Sequence, residues 1–569
     1  MRRHCYRSRG VTGVRWRRCS RAVPAIVLLL LPPVAVAAQS PSANPVSADI
    51  RTTLAESHPP LEGSAGTLYS ADLLRQVYAA RGNRPGWVSG SGPHPQARTL
   101  LHALKASGAD GLNPDHYHLE ALERLISENF AELPAGTRDR RLASLELLLS
   151  DAFLALARDQ HDGRVDPLTL EPRPVPSDPH GVPASELEGV LGGKSPALVL
   201  RHLAPVRDNY AGLRDALAAY RAIEADGGLS RIRGGGVLSR GDRGARVASV
   251  AARLAQTGDL DGFTTGDDCY NAAVKAAVVR FQARHGLRAD GVVGPATLAV
   301  LNQPARSWID KLRVNLERIR WLPRKTAATR LAVNIADFRA RLYVHNETVL
   351  SERVVVGRRY RQTPEFRDQI RYLVVNPAWD VPRSIAAETI LPAVKRDPGY
   401  LDRHGYEVLQ GWGAREHRVD PARVRWRRLS PSRVPYHFRQ MPGPTNPLGR
   451  VEFVFPNRYD VYMHDTPERW LFDSRQRTFS HGCIRVEHAM RLAAELLRLD
   501  GREHPGLDLI GAADDGKPRR IDLRAPIPIS IVYRTAWVDH TGGIQFRPDV
   551  YGRDARVLAA LAAPGAASR

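Results

Sequence analysis

The spacing of apolar residues changes once along this chain of 569 residues, and the change limits the folds open to it. In the N-terminal half, apolar residues recur every three or four positions, as in "ASLELLLSDAFLALARD", which predicts amphipathic helices. From Arg330 the spacing becomes two, and "LAVNIADFRARLYVHNETVL" predicts strands joined by a turn at 345–347. We therefore expect a multidomain α+β protein with a helical N-terminal part and a mainly β C-terminal part.

Breaks in composition divide the chain further. Glycines at 234–236 separate the first helical region from a second, shorter one, and a long insertion interrupts the β region. The predicted segments are a flexible lead at 38–65, a helical scaffold at 66–230, a three-helix unit at 237–303, a helical linker at 304–328, a β domain at 329–512 with an inserted lid at about 383–447, and C-terminal strands with a tail at 513–569.

Residues 1–37 have the pattern of an export signal. Eight arginines precede an apolar stretch at 22–31, two prolines interrupt it, and an Ala-x-Ala cleavage pattern ends at Ala37. A retained membrane anchor is the alternative, although a bilayer span needs about 20 apolar residues and this stretch is shorter. We therefore expect export with cleavage, and membrane association if cleavage does not occur.

The formal net charge of +22 indicates anionic partners. Export would place nucleic acid out of reach, so we predict anionic polymers of the cell envelope instead. Of the four cysteines, Cys269 and Cys483 lie outside the predicted signal. Two cysteines make one disulfide at most, and a thiol kept in an oxidising compartment is a candidate for chemistry. A Cys269–Cys483 disulfide is the alternative.

The segment "RTFSHGCIRVEHA" contains Cys483, which could be a nucleophile, a metal ligand or a buried thiol without a chemical role. A thiol attacks as its thiolate, and three features favour that form. A predicted helix from Val486 to about Arg498 would direct its N-terminus at the thiol, and Arg485 adds a fixed charge. A histidine would accept the proton. We expect His464, at the end of the strand "DVYMHDT", to be this base.

The residues before Cys483 suggest supporting roles. His481 is two positions away and is predicted to support the site or to face substrate. Gly482 has no Cβ, so we expect its amide and that of Cys483 to form an oxyanion site. Zinc ligation by His464, Asp465, His481 and Cys483 is an alternative. Because H-x-C is not a usual zinc spacing, we predict neither a metal nor a cofactor.

Residues 237–303 resemble the small three-helix peptidoglycan-binding module. The segments that carry the resemblance are "RGDRGARV" and "VVRFQARHGLRADGVVGPATLAVLN". The resemblance implies that this unit binds peptidoglycan. A helical spacer without a ligand is the alternative.

The segments "YMHDTPERWLF" and "FSHGCIRV" resemble the active-site signature of the L,D-transpeptidase family. Further likeness lies in "GPTNPLGRVEFVFPN" and "TAWVDHTGGIQFRPDVYGRD", which are similar to the large periplasmic subgroup of that family. Members of this subgroup combine a helical scaffold, a peptidoglycan-binding module and a mainly β catalytic domain with an inserted lid. The resemblance therefore implies this architecture and a periplasmic location.

The resemblance also implies a mechanism. Cys483 would attack the third-position carbonyl of a peptidoglycan tetrapeptide stem, and His464 would protonate the leaving D-alanine. An amine of an acceptor stem would then resolve the thioester, which joins two third-position diaminoacids. Arg485 would stabilise charge, and a backbone carbonyl rather than Asp465 would orient the histidine. The expected substrate-binding residues are Ser480, Tyr462, Tyr400 and Trp412, of which the last two lie in the lid.

Partners and alternatives follow from the same resemblance. We expect donor and acceptor stem peptides as substrates, carbapenem-type inhibitors that acylate the cysteine, and peptidoglycan synthases as partners. If water or a free amine replaces the acceptor stem, the site would act as a hydrolase or an exchange enzyme. A non-catalytic protein that binds the cell wall is the further alternative.

Overall fold

The computed structural model describes residues 44–56, 61–62, 67–170, 181–206, 210–262, 264, 268–411, 413–502 and 505–563. The predicted export signal at 1–37 lies outside these ranges. Within them, no helix combines the length and the apolar character that crossing a membrane requires.

Helices form the N-terminal part, as the apolar spacing predicts. They are α1 Pro45–Ala55, α2 Ala71–Ala80, α3 Pro95–Ala106, α4 Leu119–Ser127, α5 Ala135–His161, α6 Ala184–Leu191, α7 Pro196–Leu203 and α8 Tyr210–Ala225, with a short ribbon of β1 Val88–Ser89 and β2 Gly92–Pro93. Helix α5 is buried along most of its length because α1, α3, α4 and α7 pack around it. The expectation of a flexible lead at 38–65 is wrong for α1, since its Val46, Ile50 and Leu54 join this core.

The next unit consists of α9 Ala245–Gln256, α10 Ala272–Arg284 and α11 Pro295–Leu301, followed by the linker helix α12 Ala305–Arg320. Val247, Val250 and Leu254 of α9 pack against α10, as their helical spacing predicts. The side chain of Asn271 accepts a hydrogen bond from the Val274 amide and caps α10. Cys269 and Cys483 are both free thiols, so the alternative of a disulfide between them is wrong.

The C-terminal part is mainly β. Its strands are β3 Arg330–Asn334, β4 Arg339–Val344, β5 Glu347–Gly357, β6 Phe366–Val375, β7 Trp379–Asp380, β8 Tyr406–Gln410, β9 His417–Val419, β10 His437–Gln440, β11 Val451–Val454, β12 Met463–His464, β13 Thr478–Ser480, β14 Ile484–Val486, β15 Arg519–Val532, β16 Ala536–Val538 and β17 Ile544–Phe546. The main sheet has the order β13-β5-β14-β12-β11-β6-β15-β3-β4, and β4 also pairs with β5, so the sheet closes on itself. The turn between β4 and β5 falls at His345 and Asn346, where the sequence predicts it.

The insertion folds as a separate layer beside this sheet. Its helices are α13 Arg383–Ile385, α14 Leu391–Arg396 and α15 Tyr400–Arg403, with a π-helical turn at Ala386–Ile390 between the first two. A four-stranded sheet of order β7-β10-β8-β9 completes it, around a core that includes Ile390, Leu391 and Phe438. The helical start agrees with the sequence prediction. The sheet was not predicted, because its strands have five residues or fewer and show little alternation.

Strand β15 corrects the predicted position of the C-terminal segment. The sequence separates residues 513–569 from the β domain, but β15 lies inside the main sheet, antiparallel to β6 and parallel to β3. Its Ile527, Ile529 and Ile531 alternate into the core. The remaining elements are the helices α16 Ala489–Leu499, α17 Pro505–Asp514 and α18 Asp554–Ala562, the last of which follows the β16–β17 hairpin.

Candidate active site

Strand pairing decides which side chains share a face of the sheet with Cys483. Strands β12 and β14 run parallel, with Met463 opposite Ile484 and His464 opposite Arg485. Met463 and Ile484 are fully buried in the core. Since successive side chains of a strand point to opposite faces, His464, Arg485 and Cys483 lie on the other face. The structure thus places the predicted nucleophile, base and cation on one face of adjacent strands.

His464 is held as a neutral ring with a fixed orientation. It is 3 % exposed, and its Nδ1 lies 2.6 Å from the carbonyl oxygen of Asp465. A carbonyl only accepts, so Nδ1 donates and Nε2 of the neutral ring is left as a proton acceptor. Burial and the nearby charge of Arg485 lower the pKa of His464 to about 3. The ring is therefore uncharged near pH 7, as a general base must be.

The carboxylate of Asp465 points away from the histidine. One of its oxygens accepts the amide of Arg450 at 2.9 Å, and the other accepts Nη2 of Arg469 at 2.6 Å. Gly449 is required beside it, because a Cβ there would come 2.5 Å from the carboxylate oxygen and the φ angle is +61°. Asp465 therefore orients His464 through its carbonyl and cannot complete a zinc site with Cys483.

A tight turn presents Cys483. The hydroxyl of Ser480 donates to the Cys483 carbonyl at 2.6 Å and accepts the Gly482 amide at 3.1 Å. Gly482 has a φ angle of +120°, a conformation that side chains rarely adopt. Its carbonyl accepts the hydroxyl of Thr363 at 2.8 Å. These three bonds fix the backbone on both sides of the nucleophile.

Two predicted roles in this turn are wrong. Gly482 cannot pair with Cys483 as an oxyanion donor, because its amide is already bonded to Ser480. Ser480 is 2 % exposed, so it holds the turn and does not contact substrate. Among the described residues, no acceptor is bonded to the Cys483 amide, which remains available to an oxyanion.

The electrostatic setting of Cys483 also differs from the prediction. Burial raises the pKa of the thiol above its ordinary value, and this outweighs the opposing effect of Arg485. Helix α16 begins at Ala489, because the residues after Cys483 continue as strand β14, so α16 does not begin directly after the thiol as predicted. Arg485 is also paired with Glu468. The resting cysteine is therefore a neutral thiol, and the His464 imidazole is neutral as well.

His481 lies at the exposed rim of the site. Partial burial and the positive charges of Arg358 and Arg361 lower its pKa, which leaves it uncharged near neutral pH. It is placed to face a bound molecule, and its supporting role stays a prediction.

Tyr462 and Glu452 belong to the same face as Cys483. Tyr462 precedes His464 by two positions and is 36 % exposed, so substrate can reach it. Glu452 lies directly opposite His464 in the antiparallel pair β11–β12. Burial and the charge of Asp380 raise the pKa of Glu452 to about 7. Glu452 was not predicted, because the register of β11 against β12 cannot be read from the sequence.

The lid residue Tyr400 is placed differently from the prediction. The ring of Tyr400 stacks on Tyr406 with 6.0 Å between centroids and packs into the core of the lid, so it does not close the site. Trp412 lies outside the described residues. The lid meets the site instead at Pro447, whose backbone opposes the lowering of the His464 pKa.

The sequence also did not predict the residues that support this turn through hydrogen bonds. Thr363 accepts the Gly357 amide at 2.9 Å besides donating to Gly482, and the Tyr551 hydroxyl donates to the Gly357 carbonyl at 2.6 Å. Thr363 lies in a loop and Tyr551 near the C-terminus, so no local pattern connects them to Cys483.

One cluster in the described part of the chain could hold a metal ion. Glu352, Glu487 and His488 place ligand atoms within 4.8 Å of one another. Arg353 forms an ion pair with Glu487, and Arg491 lies 3.7 Å from Glu352, so two positive charges oppose a cation there.

Family models match three parts of the chain. A scaffold domain matches residues 72–217, a "putative peptidoglycan binding domain" matches 243–301, and the L,D-transpeptidase catalytic domain matches 328–513, which includes Cys483 and His464. The chain therefore contains a region, residues 328–513, that matches the catalytic domain of the L,D-transpeptidase family. Its architecture of helical scaffold, binding module and mainly β catalytic domain is the one that the sequence predicts.

Two curated relatives are similar to parts of this chain. A "Putative L,D-transpeptidase" of Haemophilus influenzae is 34% identical over 247 residues, which is 43% of this chain and 48% of that protein. A zinc D-Ala-D-Ala carboxypeptidase of Streptomyces albus G is 40% identical over 68 residues, which is 12% of this chain and 27% of that protein. The chain thus spans about half the length of the first relative and about a quarter of the second.

Solved structures of the family align with half of the chain. An L,D-transpeptidase from Xylanimonas cellulosilytica covers 53% of this chain and 99% of its own, with 14% identity and a TM-score of 0.17. An L,D-transpeptidase from Stackebrandtia nassauensis covers 52% and 94%, with 13% identity and a TM-score of 0.21.

Proposed function

We propose that this protein is an L,D-transpeptidase that joins third-position diaminoacids of two peptidoglycan stem peptides through a thioester on Cys483. The observation that carries the proposal is the parallel register of β12 and β14, in which His464 lies opposite Arg485, two positions after Cys483. The bond from Nδ1 of His464 to the Asp465 carbonyl supports the same role, because it directs the basic nitrogen away from that carbonyl.

The first half-reaction begins from neutral groups. The thiol proton of Cys483 passes to Nε2 of His464 as sulfur bonds to the carbonyl carbon of the third residue of the donor stem. Arg485 and the amide of Cys483 stabilise the negative oxygen that forms. The carbon–nitrogen bond to D-alanine then breaks, and His464 returns the proton to the leaving amine. A thioester and neutral His464 remain.

The second half-reaction releases the enzyme. The side-chain amine of the acceptor diaminoacid attacks the thioester carbonyl, and a proton of that amine passes to His464. The carbon–sulfur bond breaks, and His464 protonates the departing sulfur, which restores the thiol. The product contains a new amide bond between the two stems.

Location and partners belong to this proposal. Export through residues 1–37 would bring the protein to the periplasm, where stem peptides are found. The module that contains α9–α11 would bind peptidoglycan and hold the catalytic domain near its substrate. Carbapenems would acylate Cys483, and peptidoglycan synthases would supply newly made strands.

The test uses the purified chain with disaccharide tetrapeptides as both donor and acceptor. Mass spectrometry is expected to detect an acyl adduct on the protein and cross-linked dimers among the products. Cys483→Ala should abolish both signals, whereas Cys269→Ala, which removes the other free thiol, should retain them. Incubation with a carbapenem should give a mass shift with the same dependence on Cys483.

The outcomes separate the alternatives. Trimmed monomers without dimers would show hydrolysis in place of cross-linking. A folded wild-type protein with neither a stem adduct nor a carbapenem adduct would overturn the enzymatic proposal and leave a wall-binding protein.

A further inference from the structure

Glu452 lies in a row of charged and titratable side chains across three strands. It is opposite His464 in the pair β11–β12, and His464 is opposite Arg485 in the pair β12–β14. Directly opposed side chains in a sheet have Cβ atoms about 5 Å apart. The neighbours of Glu452 in its strand, Val451 and Phe453, are fully buried in the core. Glu452 therefore faces the same side of the sheet as the nucleophile and the base.

The carboxylate of Glu452 is left without a partner. No donor in the described part of the chain forms a hydrogen bond or an ion pair with it, although nearby arginines exist. Arg485 is paired with Glu468, Arg520 with Asp522, and Arg439 with Asp380 and Glu416. Glu452 is partly exposed, so a bound molecule can reach it. A partly buried carboxylate without a counter-charge is costly to keep, and such groups cluster at functional sites.

The field of Glu452 reaches the reacting sulfur. Its negative charge helps to raise the pKa of the Cys483 thiol and that of Tyr462. Burial and Asp380 raise the pKa of Glu452 to about 7, so the group exchanges a proton readily near neutral pH. Asp380 belongs to β7, the first strand of the lid sheet. Glu452 thus faces the space between the main sheet and the lid.

The acceptor amine must lose more protons than His464 removes alone, which gives the Glu452 carboxylate a role. An acceptor amine arrives as an ammonium ion and must lose two protons to become an amide nitrogen. The departing sulfur takes back one of these protons through His464, and the second needs another base. Water as the attacking group loses a single proton in the step that releases sulfur. The extra base is therefore needed for cross-linking and not for hydrolysis.

We propose that Glu452 binds the ammonium group of the acceptor diaminoacid and removes its first proton. The inference rests on the proposed function and names the acceptor half of the site. One N–H bond of the ammonium breaks as the Glu452 O–H bond forms, and the freed lone pair attacks the thioester carbonyl. The carbon–sulfur bond breaks, and the second proton reaches sulfur through His464. Glu452 later gives its proton to solvent.

The test separates the two half-reactions in Glu452→Gln, which keeps the shape of the side chain and removes its charge. Acyl-adduct formation from a tetrapeptide donor should stay within about twofold of wild type. Cross-linked dimers should form at least tenfold more slowly, with a higher KM for the acceptor and a larger share of hydrolysed product. Glu347→Gln, at the exposed start of β5, is the matched control and should behave as wild type.

A neutral nucleophile sharpens the test. Hydroxylamine arrives uncharged, so it should intercept the thioester equally well in wild type and Glu452→Gln. Glu452→Asp retains a base and should recover part of the dimer rate, which also provides a result if the glutamine variant does not fold. Thermal melting of each variant reports folding.

Each outcome decides between the two claims. Equal dimer rates in wild type and Glu452→Gln would overturn the role of Glu452 while leaving the proposed function intact. Parallel loss of adduct and dimers in a folded Glu452→Gln would also overturn it, since the carboxylate would then act on the nucleophile. A wild-type protein that forms no adduct would overturn both.

Discussion

At the scale of single residues, the nucleophile and the base of the site are both uncharged at rest. Burial raises the pKa of the Cys483 thiol and lowers that of His464 to about 3, so neither group is charged near pH 7. A thiolate–imidazolium pair would react with many electrophiles, whereas this pair requires proton transfer during attack. A carbonyl that is positioned beside Nε2 of His464 is therefore favoured over a freely diffusing reagent.

Alkylation of Cys483 by iodoacetamide should be slow at neutral pH and should accelerate as pH rises beyond the ordinary thiol range. The direction follows from the raised pKa of Cys483. At any given pH, the fraction of Cys483 present as thiolate is smaller than that of a free cysteine. The measurement is the rate of mass increase from pH 5 to 10 in Cys269→Ala, where Cys483 is the remaining thiol outside 1–37. A fast plateau between pH 5 and 7 would contradict the prediction.

At the scale of elements, the catalytic residues depend on a short turn between two strands. Strands β13 and β14 both pair with β5, and the turn from Ser480 to Cys483 connects them. Thr363 attaches the turn to the loop after β5. The backbone that carries the sulfur is thus held by hydrogen bonds with the hydroxyls of Ser480 and Thr363.

Ser480→Ala should loosen this turn. It leaves the buried Gly482 amide without an acceptor, which costs about 1–3 kcal/mol of unfolding free energy. We also expect the rate of adduct formation to fall about tenfold, because the nucleophile is no longer held in one place. Thermal melting and adduct kinetics measure the two effects.

Ser432→Ala is the control for the serine variant, since Ser432 is exposed in the lid. Unchanged adduct kinetics in a destabilised Ser480→Ala would show that the turn supports folding and does not position the sulfur.

The sequence predicts what depends on neighbours in the chain. Apolar residues at every second position predict the β4–β5 hairpin. The signature around Cys483 predicts the catalytic-domain family whose model matches residues 328–513. Contacts that depend on pairing between distant segments cannot be predicted from the sequence in this way. Strand β15 pairs with β3, which lies nearly 200 residues earlier, and no local pattern shows that contact. The start of α16 was placed too early, at Val486, because Val486, Ala489 and Ala493 recur at the three- and four-residue spacing of a helix, although Val486 ends β14.

Hydrogen bonds within the turn were beyond prediction for a different reason. Gly482 and Ser480 have the residue types of an oxyanion donor and a substrate contact. Their actual partners are each other and Cys483, and that choice depends on the φ angle of +120° at Gly482. The role of Glu452 depends similarly on register, which alternation alone does not fix.

At the scale of the whole molecule, one aromatic side chain joins three domains. Phe546 of the β16–β17 hairpin is 1 % exposed. Its ring centroid lies 5.8 Å from that of Tyr220 in the scaffold, 5.4 Å from His285 in the binding module and 4.6 Å from Trp308 in the linker helix. The scaffold and the module are therefore packed against an element that follows the catalytic motif.

Phe546→Ala should lower the unfolding free energy by about 3–5 kcal/mol, because it leaves a cavity at this junction. Since the cavity lies between domains, we expect the binding module to separate from the rest. Limited proteolysis should then cut near the glycines at 234–236 sooner than in wild type. Phe546→Leu, which fills most of the space, should stay close to wild type, and equal cleavage of Phe546→Ala and wild type would contradict the coupling.

The position of β15 in the middle of the main sheet has a consequence for biosynthesis. A ribosome delivers Cys483 and His464 before it delivers Arg519–Val532, so the nascent polypeptide holds both reactive residues while the sheet beneath them still lacks its interior strand. Prematurely terminated chains would consequently contain the complete signature without a stable platform for it. The protein becomes competent only when Arg519–Val532 has been synthesised and inserted between β6 and β3.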